Sequence, residues 1–490
     1  MTDTATEARQ TGDRIPGIAD KALPWRRAIR WTERFDAYDI ATLVFIAALV
    51  ALALGTFSDY AISNDEGVQH HYGELIINYY SSGFADKSLF NFQNLYLYGG
   101  LFDIIAIALS HLIPIDPFDL RHILCALIGI GGIGAAAATA RLIAGPRAAL
   151  IAAVSLSICG AWYGAMFNHT KDIPFAAAMM GATLFLIRIA RRLPSPRAGD
   201  IAAFGLLAGA ALGMRVLGLL LVIYVGLAIA LYLPRPWLAG DRARWRFVTS
   251  SSLRLLPALL PRLAAASSQS RRRDIALIAL TVIFPLACEV IFRGPAFTGL
   301  RHFLFVIPAI AVLAGIGLDS ALTALAARGR LIASAGLAAV TAGLLWNAVT
   351  LVRLHPYEYL FYNPAVGGLQ GASRRYDLDY WFGSMPEAIN QLEAYLRSSA
   401  PADTSRPTPV YSVAVCGDRL EFEKTVTLPQ LRFDFKPRWE QSEFFIAPTH
   451  MNCDGDLDGK VIGTVERLGV AIAYIKDRRA LTQSVATATR

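Results

Sequence analysis

Two adjacent carboxylates, Asp65 and Glu66, follow the first apolar run of the sequence, within the segment 63–67 that reads Ser-Asn-Asp-Glu-Gly. A carboxylate just beyond a membrane anchor can serve as a general base, because it can take the proton of a hydroxyl group that attacks an electrophilic carbon. Acids in a solvated loop give the same pattern. The spacing makes Asp65 and Glu66 candidate catalytic residues.

A second polar group lies at 168–172, where Asn, His, Thr, Lys and Asp precede Ile-Pro-Phe and a new apolar run. Asp172, with Pro174 two residues later, is typical of a helix start, and a capping role does not exclude a catalytic one. The side chains of His169 and Lys171 could contact a lipid phosphate. This segment adds Asp172 to the candidate catalytic residues.

Further cations stand at the ends of apolar runs. Arg301 and His302 open a late run, and Arg215 separates two shorter ones. Such side chains often only reach toward lipid headgroups. Three acids and several cations at one membrane level could instead hold a phosphate leaving group while a carboxylate activates the nucleophile. The candidate phosphate-binding residues are His169, Lys171, Arg215, Arg301 and His302. No metal site is predicted, and dependence on a divalent cation stays open.

The composition requires a membrane to position these residues. Of the 490 residues, 54% are apolar and 17% are charged, whereas about a quarter of an average soluble domain is charged. The net charge of +8 is spread between the apolar runs, which indicates membrane topology rather than nucleic-acid binding. Residues 1–34 lack the pattern of a cleaved signal peptide, so the run 38–57 is predicted to be a retained anchor.

The distribution of Lys and Arg predicts about nine spans. The expected crossings are 38–57, 123–143, 148–167, 173–190, 201–214, 216–233, 275–292, 302–318 and 331–352. The apolar segment 95–113 is expected to be embedded without crossing, because a further crossing would place Arg141 and Arg147 outside, against the positive-inside rule. Asp103 in its middle agrees, since a carboxylate exposed to lipid at mid-bilayer is costly.

These crossings predict three regions. Residues 1–37 are expected to be a cytoplasmic N-terminal segment. Residues 38–352 are expected to be the transmembrane catalytic domain, with an outer loop at 58–120 and an Arg-rich cytoplasmic stretch at 234–273. Residues 353–490 are richer in acids, Pro and aromatics, with strand-like runs at 410–416, 443–447 and 470–475. This tail is expected to be a small soluble α/β domain on the outer side.

Two features of the tail leave alternatives open. Cys416 and Cys453 could form a disulfide if the tail is outside the cytoplasm, although their spacing does not show it. Asp454, Asp456 and Asp458 begin a pattern similar to an EF-hand loop, but the residue at the twelfth position is not an acid. A polar turn is the favoured interpretation over a calcium site.

Taken together, the motifs resemble a known family. They are the Asp-Glu pair at 65–66, Asn-His-Thr-Lys-Asp-Ile-Pro-Phe at 168–175, Arg-His-Phe-Leu-Phe-Val-Ile-Pro at 301–308, His-Pro-Tyr-Glu-Tyr-Leu-Phe-Tyr-Asn-Pro at 355–364 and Leu-Asp-Tyr-Trp at 378–381. In this order they resemble bacterial members of the protein O-mannosyltransferase-like family, glycosyltransferase family 39 in the GT-C superfamily. The resemblance covers nearly the whole chain and implies a GT-C-like, polytopic α-helical membrane protein.

The resemblance also implies an activity. Members carry out an inverting transfer of a hexose or pentose from a polyprenyl-phosphate sugar to a glycolipid, an envelope polymer or a protein outside the cytoplasm. It implies that Asp65 is the catalytic aspartate with Glu66 as its neighbour, that Asp172 is the second acidic position, and that Lys171, Arg215 and Arg301 contact the donor phosphate. The implied location is the bacterial inner membrane, with the C-terminal domain in the periplasm and no nucleic-acid partner.

One departure from the family pattern keeps a second interpretation open. Members commonly carry further spans and a sizeable outer loop between the hairpin at 201–233 and the Arg-His segment, and this chain has only residues 234–273 and one span there. The alternative is a non-catalytic or transport protein on a degenerate GT-C scaffold. A transporter would place intramembrane charges near mid-bilayer and show repeated halves. The candidate charges here lie at one interface, and no repeat is evident.

Overall fold

The computed structural model describes residues 35–232, 269–293, 300–399 and 409–482. The α-helices are α1 Ala37–Thr56, α2 Glu66–Ser81, α3 Leu101–Ser110, α4 Pro117–Ala144, α5 Pro146–Ser157, α6 Gly160–Tyr163, α7 Asp172–Ala190, α8 Ala198–Met214, α9 Leu220–Tyr232, α10 Gln269–Phe292, α11 Ile307–Ala326, α12 Arg330–Leu354, α13 Gly368–Ala372, α14 Met385–Ser398 and α15 Arg419–Thr425. Short 3-10 helices include Phe57–Asp59, Leu95–Leu97, Val216–Leu219, Arg301–Val306 and Glu358–Leu360.

Six segments of the described chain are long and apolar enough to cross a membrane. They are Ala37–Asp59, Pro117–Ala144, Asp172–Ala190, Gln269–Phe292, Arg301–Ala326 and Arg330–Leu354. Each has at least 19 residues, and about 20 residues span the hydrocarbon core as a helix. The protein is thus an integral membrane protein, as predicted. The helices α8 and α9 are shorter and form the expected hairpin, with Arg215 between them in an extended conformation.

The apolar run 148–167 does not form one crossing helix, which corrects the sequence prediction. Helix α5 has 12 residues and ends at Ser157, so it is about 18 Å long against a hydrocarbon core of about 30 Å. The chain then packs against the segment that follows α12. A Cβ on Gly164 would come within 2.1 Å of the Tyr359 backbone nitrogen. This backbone contact requires glycine, and hydropathy cannot predict it.

The segment 95–113 contains only a short helix, in agreement with the prediction that it does not cross the membrane. Only Leu101–Ser110 is helical in α3, apart from the 3-10 turn Leu95–Leu97. Asp103 is 1% exposed and its carboxylate accepts a hydrogen bond from Arg121 at 2.7 Å. The carboxylate is therefore paired inside the protein and does not face lipid, which removes the cost of an isolated charge at that depth.

Ion pairs join the helices at the end away from the acid loop 62–67. Arg141 of α4 pairs with Asp39 of α1, Arg147 of α5 pairs with Asp319 of α11, and Arg191 after α7 pairs with Asp274 of α10. Since α1 runs from Asp39 toward the acid loop, the two groups lie at opposite ends of that helix. This arrangement agrees with the expected grouping of cations on one side. Residues 234–268 of the Arg-rich stretch lie outside the described residues.

The tail contains a five-stranded mixed sheet in the order β2-β1-β3-β5-β4. Its strands are β1 Tyr411–Val415, β2 Leu431–Asp434, β3 Phe444–Pro448, β4 Lys460–Arg467 and β5 Val470–Asp477. β1 pairs in parallel with β2 and β3, while β5 is antiparallel to β3 and β4. Helix α14 packs its apolar face on the sheet through Ile389 and Leu392. A small C-terminal α/β domain is thus present, and the strands predicted at 410–416, 443–447 and 470–475 correspond to β1, β3 and β5.

Two details of this domain answer the open alternatives. Cys416 and Cys453 are joined by a disulfide, with their Cα atoms 6.6 Å apart. Asp454 lies in the 3-10 turn His450–Gly455, and its carboxylate accepts two hydrogen bonds from Arg374 at 2.9 and 2.7 Å. The segment is a polar turn, and its first carboxylate is neutralised by a guanidinium group.

Candidate active site

The acid loop turns its two carboxylates in different directions. Asp65 precedes α2 at the cap position, and its side chain is 42% exposed. Glu66 is fully buried, where it accepts a hydrogen bond from the Ser63 backbone N–H at 2.8 Å and lies 3.2 Å from the Nε2 atom of His122. Burial and pairing leave Glu66 no path to a substrate in this conformation. Asp65 is the carboxylate of this pair that faces the cleft.

Arg301 connects the acid loop to the start of α7. Its Nε atom donates to the Asp172 carboxylate at 3.0 Å, and its terminal nitrogen donates to Asp65. Arg215, from the tip of the α8–α9 hairpin, pairs with the other oxygen of Asp172. Asp172 is 4% exposed. A buried carboxylate with two guanidinium partners is well satisfied, because paired charges recover part of their desolvation cost.

Aromatic side chains of the C-terminal domain cover the same guanidinium group. The Arg301 Cζ atom lies 5.5 Å from the centre of the Trp381 ring and 5.9 Å from that of Tyr380. Cations within about 6 Å of an aromatic face are attracted by the ring quadrupole. Trp381 also contacts the His169 ring, with ring centres 3.6 Å apart. The Trp381 segment therefore forms one wall of the site.

Lys171 is a buried cation beside the acids. It is 8% exposed, and its Nζ atom lies 5.3 Å from the centre of the Tyr98 ring. Within the described residues, no carboxylate lies within ion-pair distance of this ammonium group. Burial lowers the pKa of Lys171 below its usual range, and the Asp103 and Asp65 carboxylates oppose that effect. The amine is therefore a buried donor available for an anion.

His169 is buried close to the two guanidinium groups. Burial holds its pKa well below the usual value, and Arg301 and Arg215 lower the pKa further. The ring is thus neutral near pH 7, and neither of its nitrogens has a hydrogen-bond partner within the described residues. A neutral imidazole can donate one hydrogen bond to a bound oxygen and accept another.

A buried network supports the floor of the site. Arg121 donates to Asp103 at 2.7 Å and to the Thr170 hydroxyl at 3.1 Å, and that hydroxyl donates to the Gln69 side-chain oxygen. Arg121 is fully buried. The network joins α2, α3, α4 and the 168–172 segment through side chains, and it reaches Thr170 next to Lys171 and Gln69 one helical turn after Asp65.

These elements line a small open cleft. Its lining residues are Asp65, Gln69, Asn168, His169, Thr170, Lys171, Asp172, Arg301 and Trp381. The structure brings the predicted residues Asp65, Asp172, His169, Lys171 and Arg301 together here. Arg215 reaches the cleft only through Asp172. Glu66 and His302 are not among its lining residues.

Sequence reasoning did not assign roles to six residues at or beneath the cleft. They are Gln69, Arg121, His122, Asn168, Thr170 and Trp381. Gln69 lies one helical turn after Asp65 on α2, and His122 lies one turn after Asp119 on α4. This spacing indicates a role for Gln69 and His122 only when it is known that α2 and α4 pack together. Trp381 lies in the Leu-Asp-Tyr-Trp segment, which carried the family resemblance without a stated role.

A comparison with known families fits this geometry. A family model described as dolichyl-phosphate-mannose-protein mannosyltransferase matches residues 106–268. The matched segment contains Lys171, Asp172 and Arg215. This part of the chain is similar to that family, in agreement with the resemblance of its motifs. No curated protein is significantly similar in sequence.

Solved structures of ArnT and AglB are similar to the chain at low sequence identity. ArnT from Cupriavidus metallidurans bound to undecaprenyl phosphate has 16% sequence identity and a TM-score of 0.40, over 88% of this chain and 97% of ArnT. The apo state of ArnT has 17% identity and a TM-score of 0.41, over 89% of this chain and 98% of ArnT. Archaeal oligosaccharyltransferase AglB from Archaeoglobus fulgidus, in complex with an inhibitory peptide and a dolichol-phosphate, has 16% identity and a TM-score of 0.31, over 74% of this chain and 45% of AglB.

Proposed function

We propose that the protein is a membrane glycosyltransferase that transfers a sugar from a polyprenyl-phosphate donor to an acceptor outside the cytoplasm, with inversion and with Asp65 as general base. The observation that carries the proposal is the cleft itself. It places an exposed carboxylate, Asp65, beside a buried ammonium group, Lys171, and a guanidinium group, Arg301. The matching family model supports the donor class, because its description names a dolichyl-phosphate sugar.

Asp65 suits the role of base better than its neighbours. A general base must come within hydrogen-bond distance of the acceptor hydroxyl, and Asp65 is 42% exposed at the cleft. Glu66 is buried against His122, so its role in the proposal is to fix the loop. Asp172 holds Arg301 and Arg215 and is buried, so its role is to orient those two cations.

The cations suit the leaving group. As the bond between the anomeric carbon and the phosphate oxygen breaks, negative charge grows on the lipid phosphate. Lys171 and Arg301 can stabilise that charge with donors already in place, which is the largest contribution in many enzymes. Arg215 acts through Asp172, and the neutral His169 can hydrogen-bond a phosphate or sugar oxygen. His302 has no assigned role.

The proposed reaction is a single displacement. The acceptor hydroxyl attacks the anomeric carbon from the face opposite the phosphate, and Asp65 takes the hydroxyl proton. The bond from the anomeric carbon to the acceptor oxygen forms while the bond to the phosphate oxygen breaks. The products are the glycosylated acceptor and the free polyprenyl phosphate, with the configuration inverted.

Donor binding has to rearrange the Asp65–Arg301 ion pair. The cleft has a volume of about 10 Å³, roughly the space of one water molecule, whereas typical ligand sites have about 300–1,000 Å³. Arg301 now binds Asp65, so a donor phosphate that takes this guanidinium group would both widen the cleft and release the carboxylate. In the proposal, donor binding therefore activates the base.

The topology of the proposal follows the predicted regions. The acid loop, the start of α7 and the start of α11 face the outer side. The N-terminus is cytoplasmic and residues 353–490 lie in the periplasm of a bacterial inner membrane. A divalent cation is not required by this scheme, because guanidinium and ammonium groups neutralise the leaving phosphate.

A transfer assay with purified protein tests the proposal. The protein is reconstituted in liposomes with undecaprenyl-phosphate monosaccharides that carry labelled hexoses or pentoses, and with an envelope lipid fraction as acceptor. Label should move from lipid phosphate to acceptor, and the product should have the inverted anomeric configuration. Movement of intact donor across the bilayer with no bond cleavage would support the transport alternative, and a retained configuration would exclude the single displacement.

A further inference from the structure

Helix α15 of the C-terminal domain lies directly on the acid loop. The Ile62 backbone N–H donates a hydrogen bond to the Glu421 carboxylate at 2.8 Å. The Asp418 backbone N–H donates to the side-chain oxygen of Asn64 at 3.1 Å. Ile62 and Asn64 are separated by about 360 positions from their partners in the sequence, so these bonds join two different domains. The first bond holds the backbone at Ile62 and the second holds the Asn64 side chain, both just before Asp65.

Helix α15 also lies close to the acid loop on the C-terminal side of Asp65. A Cβ on Gly67 would come within 3.0 Å of a Leu420 methyl group, so a larger residue at this position would have to displace that methyl group by a few tenths of an ångström. The Asp418 side chain accepts a hydrogen bond from the Leu420 N–H at 2.7 Å and caps the start of α15. The cap orients Leu420 toward the loop.

A second attachment holds α15 to the membrane domain. Lys424 pairs with Asp116, which caps α4, and its ammonium group lies 4.8 Å from the centre of the Phe118 ring. The same helix α4 carries His122, the partner of Glu66. The acid loop is therefore held between α4 on one side and α15 on the other.

We propose that α15 is a clamp that positions Asp65, with Glu421 and Asn64 as positioning residues for the transfer reaction. The inference rests on the proposed function for its catalytic consequence. Asp65 follows Asn64 directly, so a loop freed from α15 would move the carboxylate relative to the acceptor hydroxyl. A misplacement of about 1 Å at a reacting centre costs on the order of 100-fold in rate.

Glu421 acts here as a hydrogen-bond acceptor. It is 4% exposed, and burial raises the pKa of its carboxyl group above the usual range. The bond from Ile62 requires an oxygen and no net charge. A glutamine at 421 supplies that oxygen at nearly the same position, whereas an alanine leaves the Ile62 N–H without its partner.

Two measurements on the full-length protein in detergent test the clamp. The variants are Glu421→Ala, Glu421→Gln and the control Glu423→Ala, whose exposed carboxylate pairs with Arg419 on the same helix. Hydrogen exchange is followed at residues 60–68, and transfer is measured as kcat and donor KM. We expect Glu421→Ala to speed exchange at Ile62 by about tenfold or more and to lower kcat by about 10- to 100-fold, with donor KM little changed.

Each outcome decides a separate claim. Glu421→Gln should keep most of the protection and most of kcat, and Glu423→Ala should match the wild type. Unchanged exchange in Glu421→Ala would overturn the clamp, and faster exchange with unchanged kcat would overturn its positioning role. An equal loss in Glu423→Ala would indicate general destabilisation and would overturn it too. A wild type that transfers no sugar would refute the proposed function, and exchange alone would then decide whether α15 holds the loop.

Discussion

Replacing Asp65 with Asn is the substitution that separates catalysis from stability most cleanly. Asparagine has nearly the same shape, and its side-chain oxygen can still accept the hydrogen bond that Arg301 now gives to Asp65. It cannot take a proton at neutral pH. General bases contribute about 10²- to 10⁴-fold, so kcat should fall by that factor, which corresponds to about 3 to 5 kcal/mol of activation free energy.

The stability of this variant should change little. The Asp65 side chain is 42% exposed, and ion pairs at such exposure contribute about 0 to 1 kcal/mol. Asp172 provides the contrast, because it is 4% exposed and pairs with two guanidinium groups. Asp172→Asn should therefore lower the thermal midpoint, since breaking a buried pair costs about 3 to 5 kcal/mol.

The assay is sugar transfer by reconstituted protein, with thermal unfolding measured on the same preparation. Asp86→Asn is the matched control, because Asp86 lies in the same predicted outer loop and is not among the residues lining the cleft. Its transfer rate should equal that of the wild type. An Asp65→Asn protein that keeps more than about a tenth of the wild-type kcat would contradict the assignment, given the usual contribution of a general base.

The other predictions concern the cations. Lys171→Met should raise the donor KM by about 10- to 100-fold, because a hydrogen bond to a charged group contributes about 1.5 to 3 kcal/mol. The control Lys87→Met, at an exposed position, should leave the donor KM unchanged. Equal effects of the two substitutions would refute a role of Lys171 in donor binding. Burial lowers the pKa of Lys171, so donor affinity should decline as the pH rises through a pKa below that of free lysine. Lys171→Arg should remove this decline. Identical pH profiles of donor affinity in the two proteins would contradict the prediction. Arg121→Met should lower the free energy of unfolding by about 3 to 5 kcal/mol, because it leaves Asp103 buried and unpaired. Arg419 is exposed, so Arg419→Met should lower it by under about 1 kcal/mol. Thermal unfolding in detergent measures both variants.

The grouping of the site residues could be predicted from the sequence because membrane topology is strongly constrained. Positive-inside reasoning placed Asp65, Asp172, Arg215 and Arg301 at one interface, and the structure joins them in one ion-pair cluster. The short α3 followed from the same reasoning. These predictions depend only on charge and segment length, which a single sequence contains.

Other features depend on contacts between distant segments. The run 148–167 is uniformly apolar, and its break after Ser157 arises where Gly160 and Gly164 meet the 358–361 backbone. The opposite orientations of Asp65 and Glu66 depend on His122, which belongs to another helix. Adjacent acids in a sequence carry no information about which of them is buried.

The role of the C-terminal domain was the largest omission. The sequence predicted a soluble domain with strands, but nothing in it indicated that Trp381 would cover Arg301 or that Glu421 would bind the Ile62 N–H. Both contacts cross between domains and join residues that are far apart in the sequence. Only the three-dimensional structure shows that this domain completes the cleft.

The measurement that tests the central claim most directly is a density map of the protein with undecaprenyl phosphate bound. We expect the lipid phosphate within hydrogen-bond distance of Lys171 and Arg301, with the Asp65 carboxylate released from Arg301 and facing the open side of the cleft. A phosphate bound elsewhere, with the Asp65–Arg301 pair intact, would contradict the proposed donor site and the role of Asp65.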